Sequence, residues 1–376
     1  MNLALAQLRR APVRTGLLVV VVAVLFFLVE YLAAVSASLQ AVNTGALARL
    51  GADLVVYSAG SGDSLDASRL PASDVAAAAH VTGVAQAQAL GVADFTVAGP
   101  GGSRYELDLI GLDPGPAWPR PAAGSLPGAG SGANSSAASG QALGDTTEVS
   151  AGLGVGRRVV LVPGRVTLQV TGLAAGVRYD GLVTAWTTFA SWERAVRAAN
   201  PGGSAEPNAV TVRLSPGAPA DLTARRLAAA LPGSVVLTRS AAVADVAGAG
   251  VLQVTFGLLI AVAFAAAVLV TGSVFLLLTV QRTRTWVLLR SLGAPAGRLA
   301  VAVMVQAVVV VVAACALASA GLAVVGSVSG PGFPLRASPG LLLGTFAAAL
   351  VGAMVSALLP IRRIGRLDPA AALVRG

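Results

Sequence analysis

His80 and Cys315 are the only imidazole and the only thiol among 376 residues, and lysine is missing altogether. One histidine and one cysteine cannot assemble a tetrahedral zinc site, and a Ser-His-Asp triad has only His80 to draw on. A lone cysteine forms no internal disulfide. Without lysine no side chain can reach the β- and γ-phosphates from a P-loop, which excludes an ordinary Walker-type nucleotide site from this chain. His80 closes the run "DVAAAAH", an amphipathic helical pattern that places it at or near a surface. Cys315 lies in "VVAACALASA" and is expected to pack as a small hydrophobe. The residue types therefore speak against catalysis, and neither a metal nor a cofactor is expected here.

What remains is arginine interleaved with leucine. Residues 281–298 carry Arg282, Arg284, Arg290 and Arg298 around an apolar series, Trp286, Val287, Leu288, Leu289 and Leu292. The series stops at Gly293, a residue type suited to ending a helix. A second basic segment, "PIRRIGRLDPAAALVRG", closes the sequence, with Asp368 placed to cap a short helix starting at Pro369. Glu30 is the third candidate. It is the single acidic residue in a long apolar stretch, and intramembrane ionisable groups are functional suspects. Near the outer end of that stretch, water or Gln253 could solvate it.

The elements that must position these residues follow from composition. The chain is 55% hydrophobic and 11% charged, with mean hydropathy +0.78, whereas soluble domains carry about 25% charged residues. A spanning helix needs about 20 mainly apolar residues. Four stretches qualify: 16–39, 251–280, 299–325 and 339–361. The first, preceded by Arg9, Arg10 and Arg14 and followed by "AAVSAS", also has the shape of a cleaved signal peptide. Its length favours an uncleaved anchor. The flanks 1–15, 281–298 and 362–376 hold eleven arginines against Asp368, a sum of +10, so the rest of the chain is close to neutral within the net charge of +9. Arginine-rich flanks stay in the cytoplasm, which puts both termini inside. Nucleic-acid binding is not indicated despite a pI near 11.2, because the positive charge lies along membrane flanks.

The expected fold class is an α-helical membrane protein with four transmembrane helices in a 1+3 arrangement. A mixed α+β extracytoplasmic domain at 40–250 separates the first from the second. The full division is 1–39 (N-terminal helix and first span), 40–250, 251–280 (second span), 281–298 (cytoplasmic loop), 299–325 (third span), 326–338 (external loop), 339–361 (fourth span) and 362–376 (cytoplasmic tail). Within the insert, "ADLVVYSAG" reads as a buried strand. "PASDVAAAAHV" reads as a short helix capped by Ser73 or Asp74. "ADFTVAG" and "RYELDLIGL" alternate as a hairpin. Two strands flank Pro163-Gly164, a strand leads into a helix at "YDGLVTAWTTFASWERAVRAAN", and a strand-helix-strand unit starts at "NAVTVRLSP". Residues 113–140, rich in Pro, Gly, Ser and Ala, are expected to be a flexible exposed loop.

Three motifs occur in a telling order. They are "LALAQLRRAPVRTGLLVVVVAV", "RTRTWVLLRSLGAPAGRLAVAVMVQA" and "PIRRIGRLDPAAALVRG". Together they resemble FtsX-like or MacB-type ABC transporter permeases over most of the chain. The second motif matches a basic "LRxLGA" loop through Leu289, Arg290, Leu292, Gly293 and Ala294. The third matches an "LDPxxAL" ending through Leu367, Asp368, Pro369, Ala372 and Leu373. Two departures stand out: Arg284-Thr285-Trp286-Val287 replaces the family's acidic "REIG" element, and the 113–140 loop has no counterpart.

The resemblance implies a non-catalytic, multi-pass subunit of a bacterial cell membrane, working as a dimer with a second copy or a paralogue. It implies an ABC ATPase partner that binds ATP and magnesium, docked through Trp286, Leu288, Leu289, Arg290, Leu292 and Gly293. Leu367, Asp368 and Pro369 are a further contact. Membrane lipids and an extracytoplasmic adaptor, substrate-binding protein or hydrolase complete the implied partners. The work would be extrusion of a lipid, lipoprotein, peptide or drug, or mechanical signalling. The alternative is a membrane-anchored sensor or scaffold, including a regulator of a cell-wall hydrolase.

Overall fold

The computed structural model of the chain describes residues 12–62, 64–99, 102–128, 140–246, 249–281, 295–328, 335 and 339–365. Two compact units emerge. A helical unit comprises Met1–Ala37, Val254–Ser329 and Leu335–Gly376, and an α/β unit comprises Ser38–Gln253 and Gly330–Pro334. The first element is α1 (Pro12–Arg49), followed by β1 (Leu54–Ser58), α2 (Ala72–Ala79), β2 (Val84–Ala98), β3 (Arg104–Leu112), β4 (Pro121–Gly124), β5 (Gln141–Asp145), β6 (Arg158–Val162), β7 (Val166–Ala174) and β8 (Val183–Thr187). Then come α3 (Phe189–Ala199), β9 (Ala209–Leu214), α4 (Ala220–Ala230), β10 (Ser234–Thr238), α5 (Arg239–Ala244), α6 (Ala249–Gln281), α7 (Ala296–Val328) and α8 (Pro339–Gly365).

Sequence pattern ends the first apolar helix at residue 39, but α1 runs ten residues further. The reason is a second apolar stripe. Val42, Ala46, Leu47 and Leu50 recur at helical spacing and are buried in the α/β unit. Thr44 turns its hydroxyl inward, donating to the Gln40 carbonyl at 2.8 Å.

Four strands in the order β10-β1-β9-β2 are paired antiparallel throughout. They are linked as β1-α2-β2 and β9-α4-β10, two interlocked split units of the ferredoxin-like kind. Alternation on β1 and β9 sends Leu54, Val56, Val210 and Val212 to one face, where Ala78 of α2 and Leu227 of α4 cover them.

β2 has 15 residues, more than this half requires. Leu90 is its handover point, paired with Ala209 of β9 on one edge and Leu112 of β3 on the other. Asn208 stitches the transition. Its side-chain oxygen accepts from Val92 N at 2.8 Å, and its amide donates to the Leu65 carbonyl at 3.0 Å. Beyond Leu90 the strands run β2-β3-β8-β5-β7-β6 and return to β2 through Thr96↔Val162 and Val97↔Leu161. A six-stranded barrel is thereby closed. Small barrels are filled by their own side chains, here Phe95, Val97, Leu107, Leu109, Leu161, Leu168 and Val170.

Several local expectations need correction. α2 is preceded by Pro71 at its N-cap position with no side-chain capping bond, so neither Ser73 nor Asp74 caps it. Part of the segment expected to be a flexible loop is built into the fold. β4 pairs with β7, Trp118 is buried, and its indole N–H donates to the Asp113 carbonyl at 2.8 Å. Residues 129–139 of that segment lie outside the described residues.

Among the described residues, three apolar segments are long enough to cross a membrane by length and composition: Gly16–Arg49, Gly250–Val274 and Met304–Val328. α8 contributes a shorter apolar helical core, Leu342–Gly352. The expectation was four full spans. α1 and α7 meet through Leu18, Val22, Ala23 and Phe26 against Ala307, Val311, Ala314 and Ala318. Cys315 is buried in the same cluster, as its apolar surroundings imply.

Candidate functional site

The expected ATPase-coupling residues Trp286, Leu288, Leu289, Arg290, Leu292 and Gly293 lie outside the described residues, as do Leu367, Asp368 and Pro369 of the tail. Glu30 is described, and its surroundings differ from expectation. It is only 2% exposed, and Ser319 of α7 donates within 3.1 Å of both its carboxylate oxygens. Buried in the helical unit, it meets a hydroxyl where water or Gln253 was expected. Phe27 and Tyr31 stack beside it at 6.0 Å, and Phe27 lies against Gly321.

A second constellation, which sequence reasoning missed, lies in the α/β unit, where the last turns of α1 dock on the loop 176–182 between β7 and β8. Ala46 N donates to the Arg178 carbonyl at 2.7 Å, Asp180 N to the Asn43 carbonyl at 3.1 Å, and Gly181 N to the Val42 carbonyl at 3.4 Å. The backbones are this close because residue 45 is glycine. A Cβ there would stand 2.6 Å from the Gly176 carbonyl oxygen. Asp180 holds the loop's turn at φ 45°, a left-handed conformation that aspartate tolerates better than most residues.

Behind this contact sits a buried ion pair, Arg178 Nε to Glu148 Oε1 at 2.9 Å. Arg178 also donates to the carbonyls of Leu182 (3.2 Å) and Gly181 (2.9 Å). Glu148 Oε2 accepts from Thr184 N at 3.2 Å, and Asp145 accepts from Val177 N at 2.8 Å. Trp186 closes the arrangement, its indole donating to the Val177 carbonyl at 3.1 Å. Burial pushes the Glu148 carboxyl up, to about 8, while Arg178 pulls it down. A guanidinium does not give up its proton, so Arg178 stays charged beside the carboxyl in either of its forms. Polar turn residues such as Asp145, Glu148 and Arg178 look like exposed loop chemistry in sequence. Only the fold brings them together.

On the next face, Asp94 and Asp108 oppose each other across β2 and β3, with Asp66 and Asp180 nearby. Asp108 is 2% exposed. Burial raises its carboxyl, and hydrogen bonding and repulsion from Asp94 push it further, to about 9. Tyr179 donates to Asp66 at 3.2 Å. Among the described residues no group of three His, Cys, Asp or Glu could hold a metal ion. A carboxyl raised in the folded state contributes stability that is complete below its unfolded value and lost as pH rises through the folded one. Asp108→Asn should therefore flatten the pH dependence. The variant should match the parent near pH 4 and exceed it at pH 8 by on the order of 2 kcal/mol. Chemical melts of the full chain in detergent at both pH values would show this, and parallel curves would refute it.

Residues 257–369, which include most of α6, all of α7 and α8 and the arginine-bearing loop, match the family model described as FtsX-like permease C-terminal. That stretch is similar to the C-terminal region of FtsX-like permeases. No curated protein matches the chain. Solved structures that match the chain include the following two. One is the periplasmic region of MacB from Actinobacillus actinomycetemcomitans, at 12% identity and TM-score 0.37, covering 52% of this chain and 92% of that one. The other is the extracellular domain of the noncanonic ABC-type transporter YknZ from Gram-positive bacteria, at 16% identity and TM-score 0.36, covering 49% and 98%.

Proposed function

We propose that the chain is the non-catalytic membrane subunit of an ABC transporter, coupling ATP hydrolysis in a separate ATPase to movement of the α/β unit. The observation that carries this is the FtsX-like permease match over residues 257–369. Three long apolar helices and the basic flanks support it. In this reading α8 is the fourth span, both termini and the loop 281–298 face the cytoplasm, and the α/β unit faces outward. The subunit pairs with a second copy or a paralogue above two ATPase subunits. Trp286, Leu288, Leu289, Arg290, Leu292 and Gly293 dock on the ATPase, and Leu367, Asp368 and Pro369 add a contact. ATP and magnesium are held by the partner. The output is mechanical, extruding a lipid, lipoprotein, peptide or drug from the outer leaflet or controlling an external partner.

The test replaces Leu289 and Leu292 with glutamate, putting two charges into the apolar contact. Co-purification of the ATPase should fall by at least about tenfold, the ratio produced by a loss of about 1.4 kcal/mol. An ATPase that stays bound with unchanged activity would remove the reading. Cysteine labelling supplies the topology arm: position 290 should react only from the cytoplasmic side and position 210 only from outside.

A further inference from the structure

The barrel has no direct covalent link to the helical unit. The chain enters the α/β unit through α1 into β1 and leaves from β10 through α5 into α6, both in the ferredoxin-like half. The barrel is an insertion between β2 and β9. Loop 176–182, which joins two barrel strands, bonds to the last turns of α1, and barrel residues Leu143, Ala174 and Trp186 share an apolar cluster with Ala46 and Leu47. Three backbone hydrogen bonds join loop and helix, one donated by Ala46 of the helix and two donated by Asp180 and Gly181 of the loop. The loop is also pinned to the β5–β6 connection by the Arg178–Glu148 ion pair and the Asp145 carboxylate.

We propose that this loop is the clasp through which α1 drives the barrel, with Arg178 and Glu148 as the residues that position it. The inference rests on the permease reading above and names the route by which its motion reaches the distal half of the α/β unit. Three features make the clasp stiff. Gly45 brings helix and loop backbones into direct contact, so no flexible side chain intervenes. Arg178 fixes the loop from inside through carbonyls of its own turn as well as through Glu148. Val177 and Tyr179 are buried beside Leu47 and Leu50 in the same apolar cluster. Displacement of α1 along its axis must therefore move β7 and β8, or break these contacts. The other route, through the shared strand β2, passes first through the ferredoxin-like half.

Hydrogen exchange on the full chain with its ATPase, with and without a non-hydrolysable ATP analogue, separates the two routes. Segments 40–50 and 170–187 should change protection together, severalfold, on nucleotide binding. In the double variant Glu148→Gln/Arg178→Met, which removes the ion pair without stranding a charge, the response at 170–187 should disappear. The response of β1, β9 and β10 and the rate of ATP hydrolysis should persist. A wild-type response confined to β1, β9 and β10, or a double variant that responds like the wild type, overturns the clasp and leaves the permease reading intact. No nucleotide response anywhere, with no ATPase retained, overturns both.

Discussion

Arg178→Met is expected to destabilise the α/β unit by about 3–5 kcal/mol, the usual cost of removing one partner from a buried ion pair. Both side chains are nearly inaccessible, at 9% and 3% exposure, so water cannot replace the lost contact. The variant strands Glu148 and also removes donors from the Gly181 and Leu182 carbonyls. Without the guanidinium the Glu148 carboxyl must rise further, since burial is then opposed only by its backbone donors. A carboxyl raised on folding is neutral at low pH at no cost and must stay protonated against the solvent at high pH. The deficit should accordingly shrink toward pH 5 and grow toward pH 9. Adding Glu148→Gln, which keeps an acceptor for Thr184 N, should recover most of the loss. Melts of the full chain in detergent at the two pH values decide the matter. A deficit independent of pH, or no recovery in the double variant, would mean that the pair does not act as a pair.

That ion pair shows what the sequence withheld. Its partners stand 30 positions apart, in two polar turns whose composition resembles that of any exposed loop. The apolar helices were legible because lipid demands about 20 apolar residues in succession, and α1, α6 and α7 carry such runs. Strand patterns with strict alternation were legible too, as at β6, β7 and β9. The first half of β2, "VAQAQAL", mixes alanine and glutamine, giving a weak periodic signal, and it was missed. The barrel could not be read at all. Its closure rests on two pairs, Thr96↔Val162 and Val97↔Leu161, and long-range pairing leaves no local mark. The extension of α1 was hidden for another reason. Past Leu39 the stripe of Val42, Ala46, Leu47 and Leu50 is sparse, and it is helical because a folded domain receives it. Of the candidate residues, Glu30 was found by its charge alone, while its partner Ser319 required the helix packing. The arginine-leucine loop was legible as a motif, and its geometry lies outside the described residues.

Trp192→Ala should be the other severe change, costing about 3–5 kcal/mol by cavity formation. The indole is 2% exposed, stacks on Phe189 at 5.1 Å and joins the barrel's apolar cluster. It sits on a platform that only glycines permit. Gly91 and Gly111 pair with each other across β2 and β3, and a Cβ on Gly91 would stand 2.5 Å from the ring. A Cβ on Gly111 would also run into Trp192. Two glycines inside strands weaken them locally, so their placement makes sense only as room for this side chain. α3 presents Trp192 from its first turn, where Thr188 accepts from Ser191 N at 3.2 Å as the N-cap. Gly111→Val alone should destabilise by about 1–3 kcal/mol through overpacking. Combined with Trp192→Ala, the same valine enters the vacated space, so the double variant should lose less than the two single losses together. Full additivity would show that Gly111 and Trp192 do not share one packing site, and that the paired glycines answer to something other than the indole.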